Sequence, residues 1–479
     1  MEPDIQWPER RRRRWPWFVL IAVVASSAVA AGVYATTLLS GAGTQPQDVL
    51  PAGALGYVRV DFDPAASQKM AFLRVADKFA ATKRQGGDPR VALLKALGAD
   101  ARGVDVDRDV MPWLGDRMGM ALLPSNGTAE PSRVLAIQVT DEAAARTGIG
   151  TVGKPWAKGI AFLDDYAIVA ETQPRAEAAV AQARKRPLTE DDAFKADMAA
   201  LGEPGVLSFW GYAGKLMRSV AEPATSGAGA AYAVKAFDDS RVAGALRFTG
   251  DHAEITGLTR GIPGSPMRPG PVHIEELPAS TALAVSFSGL DEVVKGAWPD
   301  ARAVLDRQDP AGPDRKLVAE LRRYGVDLPD DLVALVGGNL TFAMEYDRRG
   351  GVRAGIVKRS YSPKAEEVRL ELRRLYADRG IPFGSGHVED GIVLASSQEY
   401  SNKLGQRRGL AEDPAFQEAL PDLATATYAC YLDLDRLEKR YLPYVDQSIR
   451  RDVARFRAIG LSGRTGEQGG TFTVRLLLN

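Results

Sequence analysis

The chain has 479 residues, 45% of them apolar and 25% charged, with 61 basic residues against 61 acidic ones. That length holds two or three domains with a large buried core, and the even charge balance excludes a general electrostatic field for nucleic acid. Cys430 is the single cysteine and His252, His273 and His387 are the only histidines, so no intrachain disulfide can form and a nitrogen-rich metal site has few ligands.

Charge is uneven at the start of the chain. Residues 1–14 hold Arg10, Arg11, Arg12, Arg13 and Arg14 against Glu2, Asp4 and Glu9. The stretch that follows, WFVLIAVVASSAVAAGVYATTLL from Trp17 to Leu39, carries no charge. As a helix it would span about 34 Å at about 1.5 Å per residue, enough for a hydrocarbon core of about 30 Å. Trp15 and Trp17 suit the membrane interface, and no Lys or Arg follows until Arg59. The pattern predicts a cytoplasmic basic tail over 1–14, a single transmembrane signal anchor over 15–39 and a body outside the cytoplasm. Ala28-Val29-Ala30 also fits cleavage after Ala30, but apolar character runs on well past it, which favours an uncleaved anchor. Either way the body is extracytoplasmic. A lone thiol there needs shelter, and TYACYLDL around Cys430 reads as a buried strand interior.

Residues 40–49, SGAGTQPQDV, read as a flexible spacer from the membrane. Beyond them the chain says nearly the same things twice, in the same order. LPAGALGYVRVDF from Leu50 matches LPASTALAVSF from Leu277, and GVDVDRDVMPWLGD from Gly103 matches GVDLPDDLVALVGG from Gly325. DYAIVAETQ from Asp165 matches DGIVLASSQ from Asp390, and LTEDDAFKADM from Leu188 matches LAEDPAFQEAL from Leu410. Hairpin turns at Thr249-Gly250 and Thr465-Gly466 close both series. Kept order predicts a tandem duplication, with units over 50–262 and 277–479, at a period of about two hundred residues that is too long for a solenoid. The linker between them, 263–276, carries Pro263, Pro266, Pro269 and Pro271 and reads as extended and semi-rigid.

Each unit mixes the two periodicities. MAFLRVADKFAATK and RKLVAELRRYG read as helices; MGMALL with VLAIQV and LTFAME with RAGIVK read as strand pairs. Ser362 caps a helix that Pro363 opens, Val368, Leu372 and Leu375 mark its apolar face, and Gly380 stops it. Glu389-Asp390-Gly391 predicts a hairpin turn with positive φ. Asp191 and Asp413 are N-caps, Pro414 takes a first helical position, and Phe194, Met198, Leu201 and Phe416, Leu420, Leu423 follow at helical spacing. The predicted class is α+β: two tandem units, each an antiparallel sheet with helices packed on one face.

The chemical motifs are near misses. In GIGTVGKP, Gly148, Gly150, Gly153 and Lys154 approach a phosphate loop or a dinucleotide fingerprint, but Pro155 stands where Mg²⁺ needs Ser or Thr. The stretch also reads as a loop from helix to hairpin, the wrong context for either motif. Asp105, Asp107, Asp109 and Asp116 approach a calcium loop, but Val110 replaces the turn glycine, so a solvated loop leading to a short capped helix is expected. Ser385 and His387 are neighbours without a third member or oxyanion donor, and His387 reads as a strand residue beside a turn. Trp113 reads as core, and Asn126 and Asn339 are formal glycosylation acceptors. No catalytic, cofactor-binding or metal-ligating residue is singled out, and no cofactor is expected.

The anchor, the LPA segment with YVRVDFDPAASQKMAFLRVADKF, the phrase DVMPWLGDR, the hairpin ending VAET and the DAF/PAF helix together form a set. In it the chain after Leu50 resembles bacterial proteins of domain-of-unknown-function family 3352. The second unit departs from the pattern, lacking the Trp and the Asp-Arg after the glycine. The resemblance implies a membrane-anchored extracytoplasmic protein and brings no established activity.

These readings converge on a non-enzymatic envelope protein whose partners are the membrane and an envelope protein or lipid. The expected site is the seam between units, where pockets form at domain interfaces. An apolar groove there would favour a lipid or other apolar ligand, and a flat polar seam would favour a scaffold. The alternative is an extracytoplasmic hydrolase using carboxylates, which needs two buried carboxyls about 5–10 Å apart in a cleft. Sensing through the short tail is a third, limited to contacts with anionic lipid.

Overall fold

Sixteen strands, all antiparallel to their neighbours, form one continuous sheet in the computed structural model, which describes residues 43–76, 78–79, 91, 105–124, 131–152, 157–220, 239–250, 252–261, 270–307, 313–347, 349–406, 409–466 and 469–479. The predicted tail and anchor, 1–14 and 15–39, lie outside the described residues. Among the described residues no helix is long and apolar enough to cross a membrane.

The first half begins with β1 (Gly56–Asp61), α1 (Ala66–Ala76), α2 (Val106–Asp109), β2 (Leu114–Leu123) and β3 (Ser132–Val139). It continues through α3 (Glu142–Val152), β4 (Gly159–Leu163), β5 (Tyr166–Ala170), α4 (Gln173–Lys185) and α5 (Asp192–Leu201). It ends with β6 (Leu207–Tyr212), α6 (Ala213–Val220), β7 (Arg241–Thr249) and β8 (His252–Arg260). The second half opens with β9 (Leu283–Ser288), α7 (Leu290–Arg307), α8 (Pro313–Arg323), α9 (Asp330–Val336), β10 (Asn339–Tyr346) and β11 (Val352–Arg359). Then come α10 (Pro363–Asp378), β12 (Gly384–Val388), β13 (Gly391–Ala395), α11 (Gln398–Leu404) and α12 (Pro414–Ala419). β14 (Tyr428–Asp433), α13 (Leu434–Tyr441), α14 (Arg450–Val453), β15 (Phe456–Gly466) and β16 (Gly469–Leu478) complete it.

From the outside inward one half runs β4-β5-β3-β2-β1-β6-β7-β8 and the other β12-β13-β11-β10-β9-β14-β15-β16. The halves join where β8 pairs with β16, and Thr256 faces Thr473 there. Thr256 faces Ala245 on its other side, and Thr473 faces Ser462. The row continues outward through Ser208, Arg59 and Gly119 in one direction and through Ala429, Ser286 and Thr341 in the other. Strand order and register therefore read alike from the threonine pair outward in both directions. Two sheets were expected from the sequence; the backbone of the final hairpins makes one.

Helices cover both faces, not one. Ile168 and Val169 point to opposite sides of β5 because side chains alternate along a strand. Ile168 packs with Ala179 and Val180 of α4, while Val169 packs with Ala145 and Ile149 of α3. The side bearing Ile168 is called the upper face here, and the side bearing Val169 the lower. The two echoing helices sit on the upper face, and their caps form as the sequence predicts. Asp191 accepts from the backbone of Ala193 and Phe194, and Asp413 accepts from that of Ala415 and Phe416. Phe194 packs against Trp210, and Phe416 against Tyr431, at ring-centroid distances of 5.5 and 5.2 Å.

Several local expectations change. Within the predicted spacer, Pro46 and Val49 are buried, and the Tyr166 hydroxyl donates to the Thr44 carbonyl at 2.9 Å, so 43–49 is part of the upper core. Val272 and Ile274, in the stretch read as linker, are likewise buried in the core of the second half. Gly148, Gly150 and Val152 belong to helix α3 and not to a loop; Gly148 lies against the Trp113 indole, where a Cβ would overlap the ring, and Gly153, Lys154 and Pro155 lie outside the described residues. At the β12–β13 turn neither Asp390 nor Gly391 takes a positive φ; Gly391 is needed because a Cβ would strike the Lys358 carbonyl.

Candidate functional site

The centre of the lower face is built differently from the rest of the sheet. Three aromatic rings there lie flat across glycines of the neighbouring strand. Phe209 of β6 covers Gly244 of β7, Phe472 of β16 covers Gly257 of β8, and Tyr428 of β14 covers Gly463 of β15. A Cβ added at Gly244 would lie 2.7 Å from Phe209 Cε1, and one at Gly463 2.7 Å from Tyr428 Cε2, closer than real Cβ atoms come. The strand pairs place these residues in one row, which runs from Val58 through the three rings to Phe287 and Leu340. A second row beside it runs through Ile255, Val474, Leu461, Cys430, Val285 and Phe342. Every apolar side chain just named is neither buried nor fully exposed.

The result is a paved, apolar strip that crosses the β8–β16 seam. It carries no charged side chain between Val58 and Leu340, and its polar atoms are the Tyr428 hydroxyl and the Cys430 thiol. Cys430 was expected to be buried and is instead half-buried in this strip. Burial still raises its thiol above the ordinary value, which keeps the thiolate scarce. At one end of the strip, Phe72 and Val75 of α1 pack with Phe248 and Ala253 and with Leu478 of the other half. Phe79 meets Phe456 at 5.8 Å between ring centroids. One helix of the first half thus closes over strands of both.

The upper face holds the opposite chemistry. Asp61 is buried between Arg59 and Arg117, with Arg117 Nε at 3.6 Å, and burial raises the Tyr57 and Tyr166 hydroxyls nearby. Asp197 accepts from Trp210 Nε1 at 2.9 Å and from Arg241 Nε at 2.7 Å. Glu345 is held by Lys403 Nζ at 2.6 Å and by the Ser280 hydroxyl. Each of these buried carboxylates already has a cation against it, so each is read as a structural group.

The motif residues sort as follows. Asp105 caps α2, accepting from Arg108 N–H at 3.2 Å, and Asp109 is paired with Arg108 at 2.7 Å, so this acidic run is a capped turn. Trp113 is buried and donates from Nε1 to the Asp109 carbonyl at 2.8 Å. His387 sits on edge strand β12 and meets Glu366 at 3.1 Å; Ser385 accepts from Arg369 at 2.8 Å, so serine and histidine face different partners. Asn339 is buried, and its amide nitrogen donates to the Pro271 carbonyl at 2.7 Å, which removes it as an accessible glycosylation acceptor; Asn126 lies outside the described residues. His273, Glu275 and Glu276 bring ligand atoms within 4.8 Å of one another, but the Arg359 guanidinium already pairs with Glu276.

Lys358 is 2% exposed, donates to the Ser360 carbonyl and is lowered by burial, out of reach of any substrate. Glu371 is the one carboxyl among the described residues pushed above its ordinary value, by burial and then by Asp331. Asp331 is itself fully buried, accepts from Asp327 N–H at 2.6 Å and meets Lys364 Nζ at 2.9 Å.

The chain matches no family model and no curated protein. The site therefore has to be read from its own geometry. Sequence reasoning missed the strip, although each paving pair has a signal: a glycine at an inward-alternating position of one strand opposite an aromatic of the next. That signal needs the strand pairing before it can be seen.

Proposed function

We propose that this protein is a membrane-anchored, extracytoplasmic binding protein that takes the acyl portion of a lipid on the lower face of its sheet, and that it is not an enzyme. The observation that carries this reading is the strip of half-exposed rings laid over Gly244, Gly257 and Gly463. Side chains that pack against protein stand up and interdigitate. Rings laid flat offer few holes for a partner's side chains, while a flexible chain of methylenes adapts to a flat floor. Each buried methylene contributes about 0.8 kcal/mol, so a chain lying along several strands binds without a single polar anchor. The uncharged stretch 17–39 behind the arginine cluster supports an anchor with the body outside the cytoplasm. In the same reading, 50–262 and 277–479 are copies of one ancestral unit, supported by the matching strand orders, and the chain is a divergent relative of domain-of-unknown-function family 3352.

The hydrolase reading has Glu371 and Asp331 as its best pair. Asp331 is inaccessible and neutralised by Lys364, which favours binding over catalysis.

The test is lipid extraction and mass spectrometry on the full-length chain purified in a mild detergent, with a Phe472→Asp variant alongside. An acyl lipid retained by the wild type and lost from the folded variant is the expected result. Equal lipid content in both, at the level carried by the detergent micelle, would refute the site. The lone thiol gives a second readout: an added acyl lipid should slow maleimide labelling of Cys430 in the wild type and not in Phe472→Asp.

A further inference from the structure

A sheet this wide still has two ends, β4 and β12. An outermost strand offers unpaired backbone N–H and C=O groups to any strand that comes near, including one from a second copy. Both ends of this sheet are closed by the same device. β5 finishes at Ala170, opposite Gly159 of β4. The chain then passes directly over Gly159, where a Cβ would overlap the Thr172 carbonyl. Gln173 follows, opens α4, and turns its carboxamide back onto β4. Ile160 N–H donates to Gln173 Oε1 at 2.9 Å, and Gln173 Nε2 donates to the Ile160 carbonyl at 3.2 Å. Glu177, one turn further on, accepts the other Nε2 hydrogen at 2.9 Å and fixes the rotamer.

At the opposite end β13 finishes at Ala395, opposite Gly384 of β12. The chain passes over Gly384 at the Ser397 carbonyl, and Gln398 opens α11. Ser385 N–H donates to Gln398 Oε1 at 3.2 Å, Gln398 Nε2 donates to the Ser385 carbonyl at 3.1 Å, and Asn402 accepts the second Nε2 hydrogen at 2.9 Å. Glycine, crossover, glutamine and a polar residue one turn later recur as a set.

A carboxamide carries the same donor and acceptor as a peptide unit. We propose that Gln173 and Gln398 are edge plugs: each stands in for the first residue of a seventeenth strand and denies its edge to a second copy of the chain. The proposal is independent of what the lower face binds. Water could satisfy Ile160 and Ser385 equally well, but water leaves when a strand arrives, whereas the glutamine is held on both sides.

The test uses the full-length chain in detergent with Gln173→Leu, Gln398→Leu and the double variant. Hydrogen exchange at Ile160 and Ser385 should speed at least tenfold in the matching single variant, which reads the hydrogen bonds directly. Sedimentation should then show the double variant self-associating with concentration beyond the wild type, at unchanged circular dichroism. Two results would overturn the proposal. Unchanged exchange would mean that the carboxamides do not hold their strands. Fast exchange with wild-type sedimentation would mean that they hold the strands and guard nothing.

Discussion

Replacing Gly257 by alanine tests the paved strip at its centre. The new Cβ would come within 2.7 Å of the Ala243 carbonyl oxygen and 2.5 Å of Phe472 Cε1, and would overlap the end of that ring. The backbone oxygen is fixed by the β7–β8 ladder, so the ring has to move, and the direction open to it is away from the sheet. A Phe buries roughly 150–250 Å² when fully enclosed. Lifting a half-buried ring gives up on the order of 50–100 Å², or about 1.3–2.5 kcal/mol at about 25 cal/mol per Å². Alanine in place of a strand glycine returns roughly 0.5–1 kcal/mol through the unfolded chain, leaving a net loss of about 1 kcal/mol. Gly150 in α3 is the control: among the described residues no atom beyond its own helix backbone lies within 4 Å of its Cβ position, so Gly150→Ala should gain about 1 kcal/mol or somewhat less. Urea midpoints measure both. The raised ring should also weaken binding of a fluorescent fatty acid several-fold. If Gly257→Ala is as stable as the wild type and binds the probe equally, the rings do not lie as described and the strip is no floor.

Trp210 and Tyr431 occupy the same place in the two halves, each facing the strand that follows it in the row, but of the two only Trp210 has a polar side-chain partner among the described residues, Asp197. Trp210→Phe should cost about 1.5–3 kcal/mol through the lost charge-assisted hydrogen bond, on top of packing. Tyr431→Phe should be neutral or stabilising, because the Tyr431 hydroxyl is buried with no hydrogen-bond partner among the described residues; thermal melts distinguish the two. Glu371 keeps its proton in the folded chain where the unfolded chain has lost it, so stability falls as pH rises from the ordinary carboxylate range through the raised value. Glu371→Gln should therefore melt higher than the wild type at pH 7 and lose that advantage below about pH 4; an advantage that persists in acid would assign the effect elsewhere. Asp191→Ala and Asp413→Ala each remove an N-cap that holds two backbone N–H groups and should each cost about 1 kcal/mol by chemical unfolding.

How much of this the sequence discloses depends on the range of the interaction concerned. Caps are local: Ser362, Asp191 and Asp413 act on N–H groups two or three residues away, and their helices begin where the sequence places them. Hairpin pairs such as MGMALL with VLAIQV are nearly as local, since the two strands are close in the chain and that leaves little choice of partner. The joining of the halves is not local. Nothing in the sequence of β8 announces that its partner is β16, because any alternating strand accepts any other, and two sheets looked as natural as one. The face assignment failed for a related reason. β5, YAIVA, is apolar at every position, the pattern of a strand covered on both sides, and that alone argued for helices on both faces. Residues 43–49 misled because Gly, Thr and Gln read as spacer, whereas Pro46 and Val49 decide where they rest. Gln173 and Gln398 close the matching phrases DYAIVAETQ and DGIVLASSQ, so the plugs were in view, but their role exists only once β4 and β12 are known to be edges.

The two halves agree in backbone and disagree in what lies beneath the upper helices, and the disagreement bears on function. Where the first half sets Arg59, Asp61 and Arg117 on β1 and β2, the corresponding places on β9 and β10 hold Ser286, Ser288 and Asn339. Those smaller groups bond to the chain that enters the second half: Ser286 and Thr341 to the Val272 carbonyl, Asn339 to the Pro271 carbonyl. In the first half the entering chain passes the buried Arg117 instead, whose Nη1 lies 3.2 Å from the Cβ position of Gly43. A buried guanidinium is expensive to strand without its carboxylate, so the register of β1 on β2 is fixed by Asp61 as well as by the ladder. The lower face is built otherwise. Phe209 over Gly244 and Tyr428 over Gly463 set the same device on the same two strands on either side of the seam, yet the register that matches Trp210 to Tyr431 matches Phe209 to Cys430 and Gly244 to Leu461. The halves therefore pave this face from different positions, as expected if what is kept is the half-exposed surface itself and not the residue at each place.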